Sequence, residues 1–297
     1  MRARRWAFPA IAVVLMLVAA ACGDGDDDPI VTPTQTVPTF AAGSTMANLQ
    51  AAGKIRVGVK FDQPGFGLKN PLNNQIEGFD VEIAKLIAQA IFGPNIDGKV
   101  EFSETVSRVR EEVIEQGTVD MVVATYTIND ARKMRVGFAG PYYVAGQDIM
   151  VREGNTTIRS VTDLNGKKAC SAPGSTSIQN LQRLAPQADT SIVFDTYSLC
   201  ADALGDNRVE AVTTDNAILI GLINANPGKF RLVGNPFTTE PYGIGVKRAD
   251  TQFRSFVNDR LEAIVRNGSW ATAYSATLGK FVPTVPAPPN VDRYAAP

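Results

Sequence analysis

Short runs of mostly apolar residues alternate along the chain with amphipathic segments of helical period. Ile55–Val59 and Met121–Ala124 are typical of buried strands because apolar and β-branched residues dominate them. Asp80–Ile91 and Phe253–Arg266 place apolar residues three and four positions apart, which is typical of helices with one buried face. This alternation predicts an α/β fold in which helices cover parallel sheets.

The N-terminal segment has the pattern of an export signal. Arg2, Arg4 and Arg5 precede the uncharged stretch Trp6–Ala21. That stretch has 16 residues, whereas a membrane-spanning helix needs about 20, so it fits a signal peptide better. The small residues before Cys22 resemble a bacterial lipoprotein cleavage box, which predicts that Cys22 is lipidated. The alternative is an ordinary secreted protein with an incidental cysteine.

Two segments outside the body of the chain lack apolar periodicity. Residues 22–45 are rich in Asp, Pro, Thr and Gly, and residues 283–297 contain five prolines. Such segments have little apolar surface to bury. They predict a flexible tether over 22–45 and a disordered tail over 283–297. The tether follows the signal peptide, which is predicted over 1–21. The remaining body is long enough for two lobes of about 100–150 residues each.

Composition excludes several functional classes. The chain has 29 basic and 30 acidic residues without a basic stripe, which argues against nucleic-acid binding. It has no histidine, so it cannot form a Ser-His-Asp triad, a Cys-His pair or a His-ligated zinc site. Its three cysteines are too few for a Cys₄ metal site. We therefore expect no cofactor, no metal and no enzymatic activity.

Polar residues follow several of the predicted strands. Ligands of α/β proteins bind beyond the carboxyl ends of the strands. The polar residues at these ends are Lys60, Asp62, Gln63, Thr125, Thr127, the segment Gly174–Ser177 and Asp215. Together they offer donors for a carboxylate and an acceptor for an ammonium group, which predicts a small zwitterionic ligand.

An ordered series of motifs then extends over most of the body. The series is GFDVEIAKLIAQAI from Gly78, QGTVDMV from Gln116, TYTINDARK from Thr125, FAGPYY from Phe138, DLNGK from Asp163, PGSTS from Pro173 and EAVTTDNAILIG from Glu210. In this order the motifs resemble those of the family 3 solute-binding proteins, the polar amino-acid receptors of ABC importers. The resemblance covers about residues 50–280.

The resemblance implies a fold and a domain plan. The fold is the type II periplasmic-binding-protein fold, with two α/β lobes joined by two hinge crossovers. Lobe 1 is expected over 46–143 plus 239–282, and lobe 2 over 144–238. The two lobes of such receptors close around the ligand by a hinge motion.

The resemblance also implies roles for individual residues. Arg132 would bind the α-carboxylate, since a guanidinium matches a carboxylate in shape and charge. Asp215 would accept from the α-ammonium group, with a plain helix N-cap as the alternative. The remaining expected ligand contacts come from the hydroxyl loops, at Thr125, Thr127, Ser175, Thr176 and Ser177. For these the alternatives are strand filler and a helix cap.

Two further features are the segment KFDQPG from Lys60, followed by Gly67 and Leu68, and the pair Cys170 and Cys200. Within the family, these look most like the glutamate-binding lipoproteins of actinobacterial importers. Ser107 and Arg110 resemble the pair that holds a side-chain carboxylate, with a helix cap and a solvated helix face as alternatives. Lys60 is placed where it could pair with the same carboxylate. Cys170 and Cys200 are an even pair in an exported protein, which argues for a disulfide over two buried thiols. That disulfide is also a feature of this branch.

Three functions are compatible with these patterns. The first is a lipid-anchored receptor on the extracytoplasmic face of the cell membrane, which binds L-glutamate or a close acidic amino acid or amide and delivers it to an ABC permease and its ATPase. The second is a sensor that reports its ligand to a membrane signalling protein. The third is a periplasmic dehydratase on the same fold, which would need a carboxylic acid placed to protonate a leaving hydroxyl.

Overall fold

The computed structural model describes residues 37–294. The predicted signal peptide, the lipidation site at Cys22 and most of the predicted tether lie outside these residues. Between residues 37 and 294, no helix is long and apolar enough to cross a membrane.

The chain alternates strands and helices as its pattern predicts. The strands are β1 (Ile55–Val59), β2 (Asp62–Gln63), β3 (Gly67–Lys69), β4 (Ile76–Glu77), β5 (Val100–Glu104), β6 (Met121–Val122), β7 (Val136–Ala145), β8 (Gln147–Arg152), β9 (Ala169–Cys170), β10 (Ala211–Asp215), β11 (Phe230–Leu232) and β12 (Glu240–Lys247). The helices are α1 (Thr45–Ala52), α2 (Phe79–Phe92), α3 (Arg110–Glu115), α4 (Asp130–Lys133), α5 (Thr176–Leu184), α6 (Tyr197–Gly205), α7 (Asn216–Ala225), α8 (Thr251–Arg266) and α9 (Ser269–Ala276). Short 3₁₀ turns lie at Ser107–Val109, Val161–Leu164 and Leu278–Lys280.

Two sheets form the cores of two α/β lobes. The sheet of lobe 1 has the order β5-β1-β6-β12-β7, and the sheet of lobe 2 has the order β11-β8-β10-β9. The chain crosses from lobe 1 to lobe 2 at Gly146, between β7 and β8, and returns between β11 and β12. A small antiparallel sheet, β2-β3-β4, lies between β1 and α2 in the chain.

The sheets are mixed, which corrects the expectation of parallel sheets. Strands β5, β1 and β6 are parallel to one another, and so are β9 and β10. The long strands β7 and β12 pair antiparallel, as do β8 and β10. The pairing of β7 with β12 follows from connectivity, because β7 carries the chain out of lobe 1 and β12 carries it back.

Helix α2 shows how the motif beginning at Gly78 builds lobe 1. Its apolar face, which includes Ile83, Ile87 and Ile91, is fully buried. Gly78 precedes the helix with a φ of 132°, and a Cβ there would lie 2.1 Å from the carbonyl oxygen of Phe66. Only glycine permits this approach, so the motif fixes where α2 begins.

Cys170 and Cys200 form the predicted disulfide. Their Cα atoms are 5.6 Å apart, and the bond joins β9 to the first turn of α6. Both elements belong to lobe 2, so the bridge does not cross between lobes. The alternative of two free thiols is therefore wrong.

Both predicted flexible segments depart from expectation where they meet lobe 1. Near the N-terminus, Phe40 packs edge-on against Phe256, and Gln50 donates to the Pro38 carbonyl at 2.8 Å. At the other end, the backbone N–H of Phe138 donates to Tyr294 Oη at 2.7 Å. These contacts use isolated aromatic side chains and backbone groups, so no apolar periodicity announces them.

Candidate functional site

A narrow cavity lies between the two lobes, at the ends of their strands. Ser107, Arg110, Thr125, Thr127, Ser175, Thr176, Ser177, Tyr197, Thr214, Asp215 and Ile218 line it. The structure therefore brings together all but two of the residues expected to bind ligand. The other two, Lys60 and Arg132, do not line the cavity, but each contacts a residue that does, Ser107 and Thr127 respectively.

Ser107, Arg110 and Lys60 form one end of the lobe 1 wall. Lys60 Nζ donates to Ser107 Oγ at 2.9 Å, and Arg110 Nη1 donates to the Ala124 carbonyl at 3.0 Å. All three side chains are buried, so the solvated helix face considered for Arg110 is wrong. The Ser107 hydroxyl caps no helix in the described chain, so the cap considered for it is wrong as well.

Thr125 is held in an unusual backbone conformation. Its φ is 43°, in the left-handed region that β-branched residues rarely adopt. Two buried partners hold it there: its N–H donates to Asp80 Oδ2 at 2.9 Å, and its hydroxyl donates to Gln63 Oε1 at 3.0 Å. Tyr142 Oη donates to the other oxygen of Asp80 at 2.6 Å. Strain of this kind is typical of ligand-binding loops.

Arg132 reaches across the cleft. Its Nη1 donates to the Thr127 carbonyl at 2.7 Å, and its Nη2 donates to the Gly174 carbonyl of lobe 2 at 3.0 Å. Its Nε lies 3.3 Å from Glu111 Oε1. The side chain is buried, so Arg132 is not a solvated surface residue. Glu111 thus pairs with the guanidinium at Nε, while the two Nη groups of Arg132 face the junction of the lobes.

The N-terminus of α5 forms the lobe 2 wall. Ser175 is the N-cap, because its Oγ accepts from the N–H of Ile178 at 3.0 Å. The Thr176 hydroxyl donates to Glu240 Oε2 at 2.8 Å, and the Ser177 hydroxyl donates to Thr214 Oγ1 at 3.2 Å. The first N–H groups of a helix favour an anion, so this wall suits a carboxylate.

Asp215 supplies an unused acceptor. Tyr242 Oη donates to its Oδ2 at 2.6 Å, whereas its buried Oδ1 has no partner among the described residues. The carboxylate occupies the N-cap position of α7 but makes no side-chain bond to that helix, so the plain N-cap alternative is wrong. Burial, reinforced by the charge of Glu240, raises the pKa of Asp215 to about 7.

Burial also perturbs the other charges around the cavity. It lowers the pKa of Lys60 to about 7, with a further contribution from the Arg110 charge. It lowers the pKa of Arg132 to about 10. It raises the pKa of Asp80 to about 6, against the opposing hydrogen bond from Tyr142. Perturbed groups converging on one cleft are typical of functional sites.

Unpaired polar atoms cluster beside the same cavity. Among the described residues, Gln63 Nε2, Tyr126 Oη and Asp215 Oδ1 are buried without a hydrogen-bond partner. Gln63 contacts Thr125, and the Tyr126 ring lies 4.3 Å from the Arg110 guanidinium. Such groups are rare in folded proteins. Of these three residues only Asp215 lines the cavity, where a polar ligand could pair with its free oxygen.

A larger cavity on lobe 1 lacks these features. Its lining includes Leu49, Asp120 and Asp250. Asp120 is paired with Arg56 at 2.6 Å, and Asp250 caps α8 by accepting from the N–H of Phe253 at 2.9 Å. The carboxylates of Asp120 and Asp250 in this larger cavity therefore already have partners within the fold.

The sequence did not single out several residues of the site. Tyr197, Thr214 and Ile218 line the cavity, and Asp80 and Glu240 support it from behind. Thr214 could have been found, because it directly precedes Asp215 on the same strand. Asp80 lies inside the motif beginning at Gly78, but its role depends on a contact with Thr125 that only the fold creates.

Comparison with known proteins gives consistent matches. The model of the bacterial extracellular solute-binding proteins, family 3, matches residues 55–280. The glutamate-binding protein GluB of Corynebacterium efficiens is 36% identical over 277 residues, which cover 91% of this chain and 88% of that protein. The ABC transporter glutamine-binding protein GlnH of Bacillus subtilis is 37% identical over 265 residues, which cover 89% and 93%.

Solved structures show the same fold. An ancestral arginine-binding protein bound to glutamine is 36% identical with a TM-score of 0.70, over 76% of this chain and 98% of that one. The solute receptor for L-cysteine of Neisseria gonorrhoeae is 30% identical with a TM-score of 0.76, over 82% and 98%.

Proposed function

Because the chain belongs to family 3 of the bacterial extracellular solute-binding proteins, we propose that it binds L-glutamate, or a close acidic amino acid or amide, and delivers it to an ABC permease and its ATPase. The observation that carries this proposal is the cavity between the lobes, which has Arg110 on one wall and the unpaired Oδ1 of Asp215 on the other. An amino acid has a negative and a positive group to match both.

Each end of the ligand has a partner in this assignment. The α-ammonium group donates to Asp215 Oδ1, which is buried and free to accept. The α-carboxylate binds Arg132, Thr127 and the N–H groups of α5. Arg132 then exchanges its bonds to the Thr127 and Gly174 carbonyls for a bidentate pair with the carboxylate.

The charges favour a second carboxylate over an amide. Lys60 and Arg110 both contact Ser107, so a side-chain carboxylate near the Ser107 hydroxyl would have two cations beside it. Similar proteins include both glutamate-binding and glutamine-binding proteins, and this pair of cations leads us to choose glutamate.

Calorimetric titration of the purified protein with the twenty amino acids tests the proposal. We expect glutamate to bind more tightly than glutamine. A preference for glutamine of tenfold, or about 1.4 kcal/mol, would contradict the choice of ligand. Failure to bind any amino acid would contradict the receptor itself.

We further propose the membrane attachment and domain limits implied by the sequence. Cys22 carries a lipid on the extracytoplasmic face of the membrane. Lobe 1 comprises 46–143 plus 239–282, and lobe 2 comprises 144–238. Labelling cells with a radioactive fatty acid tests the anchor, since the protein should incorporate label and the Cys22→Ala variant should not.

A dehydratase is the second candidate. The raised pKa of Asp215 would suit a general acid. An ancestral amino acid-binding protein, described as a precursor of cyclohexadienyl dehydratase, is also similar, with 29% identity and a TM-score of 0.72. Receptor function remains our first proposal because it gives Asp215 a partner in the α-ammonium group. Turnover of a cyclohexadienyl acid by the purified protein would favour the dehydratase.

A further inference from the structure

Helix α6 of lobe 2 receives its N-terminal cap from lobe 1. The backbone N–H groups of Tyr197 and Ser198 donate to Asp62 Oδ2 at 2.9 and 3.3 Å. Asp62 lies on β2, which follows the first strand of lobe 1. Thr196 occupies the N-cap position of α6, yet neither it nor another described residue of lobe 2 caps the helix through a side chain. The free N–H groups at the start of α6 thus have a side-chain acceptor only when the two lobes are in contact.

A second contact joins the lobes just before α6. Arg108 of lobe 1 binds Asp195 of lobe 2 through two parallel bonds of 2.7 and 2.9 Å. Both side chains are about half exposed, at 54% and 44%, so the pair is weak on its own. Its planar geometry nevertheless fixes the direction from which the segment before α6 approaches lobe 1.

Close backbone packing completes this boundary. Gly221 of α7 lies against Pro64, and a Cβ on Gly221 would be 2.3 Å from the Pro64 carbonyl oxygen. Gly174 lies against Arg108 in the same way, with a Cβ position 2.5 Å from the Arg108 Cα. Lobe 2 therefore presents glycines where lobe 1 backbone approaches it.

We propose that Asp62, by capping α6, and Gly221, by packing on Pro64, form a closing latch that sets ligand affinity although neither of these two residues touches the ligand. Neither Asp62 nor Gly221 lines the cavity. The inference rests on the proposed function, because the latch acts on closure around a bound amino acid. Apparent affinity includes the free energy of closing, so the latch changes affinity by the same factor for every ligand.

Substitution of Asp62 tests the cap. We expect Asp62→Ala to weaken glutamine binding by a factor of about three to ten, which matches the loss of a helix cap. Glutamine is the probe because the charge of Asp62 also acts on Lys60, on which glutamate binding depends. Asp62→Asn keeps an oxygen acceptor and should recover most of the affinity. Asp97→Ala removes another acidic side chain of lobe 1 that is exposed, and it should bind as the wild type does.

Gly221→Ala tests the close packing by sterics alone. Alanine is a better helix former than glycine, so the melting temperature of the ligand-free protein should be kept or raised. Affinity for both ligands should nevertheless fall more than tenfold, because the methyl group blocks closure. The matched control is Gly205→Ala in α6, where the added Cβ would lie 3.6 Å from Phe230 in ordinary contact; it should leave affinity unchanged.

The outcomes separate the latch from the proposed function. Normal wild-type binding with an unchanged affinity in Asp62→Ala overturns the latch and leaves the receptor standing. Unequal factors for glutamate and glutamine in Gly221→Ala also overturn it, since that variant changes packing at the lobe boundary and removes no charge near the ligand. A wild-type protein that binds no amino acid contradicts the proposed function, and the latch falls with it.

Discussion

Asp215, the proposed partner of the α-ammonium group, should destabilise the folded protein at high pH. Because burial raises its pKa to about 7, the folded protein favours the neutral carboxyl. The stabilisation from this group is fully present below its unfolded pKa of about 4 and is lost as the pH rises through about 7. At pH 8 the folded protein therefore holds an ionised carboxylate in a buried site.

Asp215→Asn should stabilise the ligand-free protein at pH 8 while abolishing amino-acid binding. The amide cannot ionise, and its oxygen still accepts from Tyr242. One pKa unit corresponds to about 1.4 kcal/mol, so the gain in the free energy of unfolding should exceed about 1 kcal/mol and vanish near pH 4. Urea unfolding at both pH values measures it. Asp206→Asn, at an exposed position in lobe 2, should change neither stability nor binding.

Lys60 should make glutamate selectivity depend on pH. Its pKa is lowered to about 7, so the free protein loses this cation as the pH rises above 7, and only the carboxylate ligand depends on it. Asp215 affects both ligands alike, because it faces their common ammonium group. The ratio of glutamate to glutamine affinity should therefore fall between pH 6 and pH 9.

Calorimetry of the two ligands across this pH range tests the role of Lys60. In Lys60→Met the ratio should be low and independent of pH. A wild-type ratio that stays constant, or one that rises with pH, would show that Lys60 does not face the side-chain carboxylate.

The sequence could locate most of the site because its residues follow strands. Thr125, Ser175 and Asp215 each come after a strand or open a helix, so topology brings them to one cleft. The sequence alone could not assign hydrogen-bond partners to these residues. Whether Asp215 caps a helix or faces a ligand depends on Tyr242, which is 27 residues away in the chain.

Among the elements, the short apolar strands were predictable and the long crossover strands were not. The pattern gives β1 with the bounds Ile55–Val59 that the structure has. Strands β7 and β12 continue far beyond their apolar runs, through Pro141 and Pro241 respectively. Proline usually marks the edge or end of a strand. Both prolines occupy such positions, since β7 lies at the edge of its sheet and Pro241 is the second residue of β12. Pairing between the two crossovers, which the apolar pattern does not reveal, extends both strands.

The C-terminal segment should stabilise the edge of the lobe 1 sheet. Strand β7 is last in that sheet, and Tyr294 and Asp292 supply partners for the N–H of Phe138 and the carbonyl of Gly140. The Tyr294 ring also lies against the charged ends of Lys133 and Arg254, at 4.5 and 4.6 Å.

Tyr294→Ala should lower the free energy of unfolding by about 1–3 kcal/mol, since it removes both the ring contacts and the partner of a backbone group. Tyr294→Phe keeps the ring and should lose only about 1 kcal/mol. Thermal unfolding followed by circular dichroism compares the three proteins. Equal stability of Tyr294→Ala and wild type would mean that the segment does not pack on β7 in solution.

At the scale of the whole molecule, the proposed binding mode has one ligand bridge two lobes that each supply part of its binding site. Arg110 belongs to lobe 1 and Asp215 to lobe 2, so the ligand stabilises the arrangement of both. A ligand at 100 times its dissociation constant stabilises the folded state by about 2.7 kcal/mol. The melting temperature should therefore rise with glutamate and with glutamine, by a shift that grows with the logarithm of the affinity of each ligand.

Two arginine variants should show which end of the ligand each arginine binds. In Arg132→Ala neither amino acid should raise the melting temperature, because both ligands lose the partner of the α-carboxylate. In Arg110→Ala the shift caused by glutamate should largely disappear while the shift caused by glutamine is mostly kept, since removing one member of a buried charge pair typically costs about 2–5 kcal/mol. Thermal scans of the wild type and both variants, with and without each ligand, measure these shifts. If both variants lost both shifts equally, Arg110 and Arg132 would serve a single carboxylate, and the preference for an acidic ligand would have no structural basis.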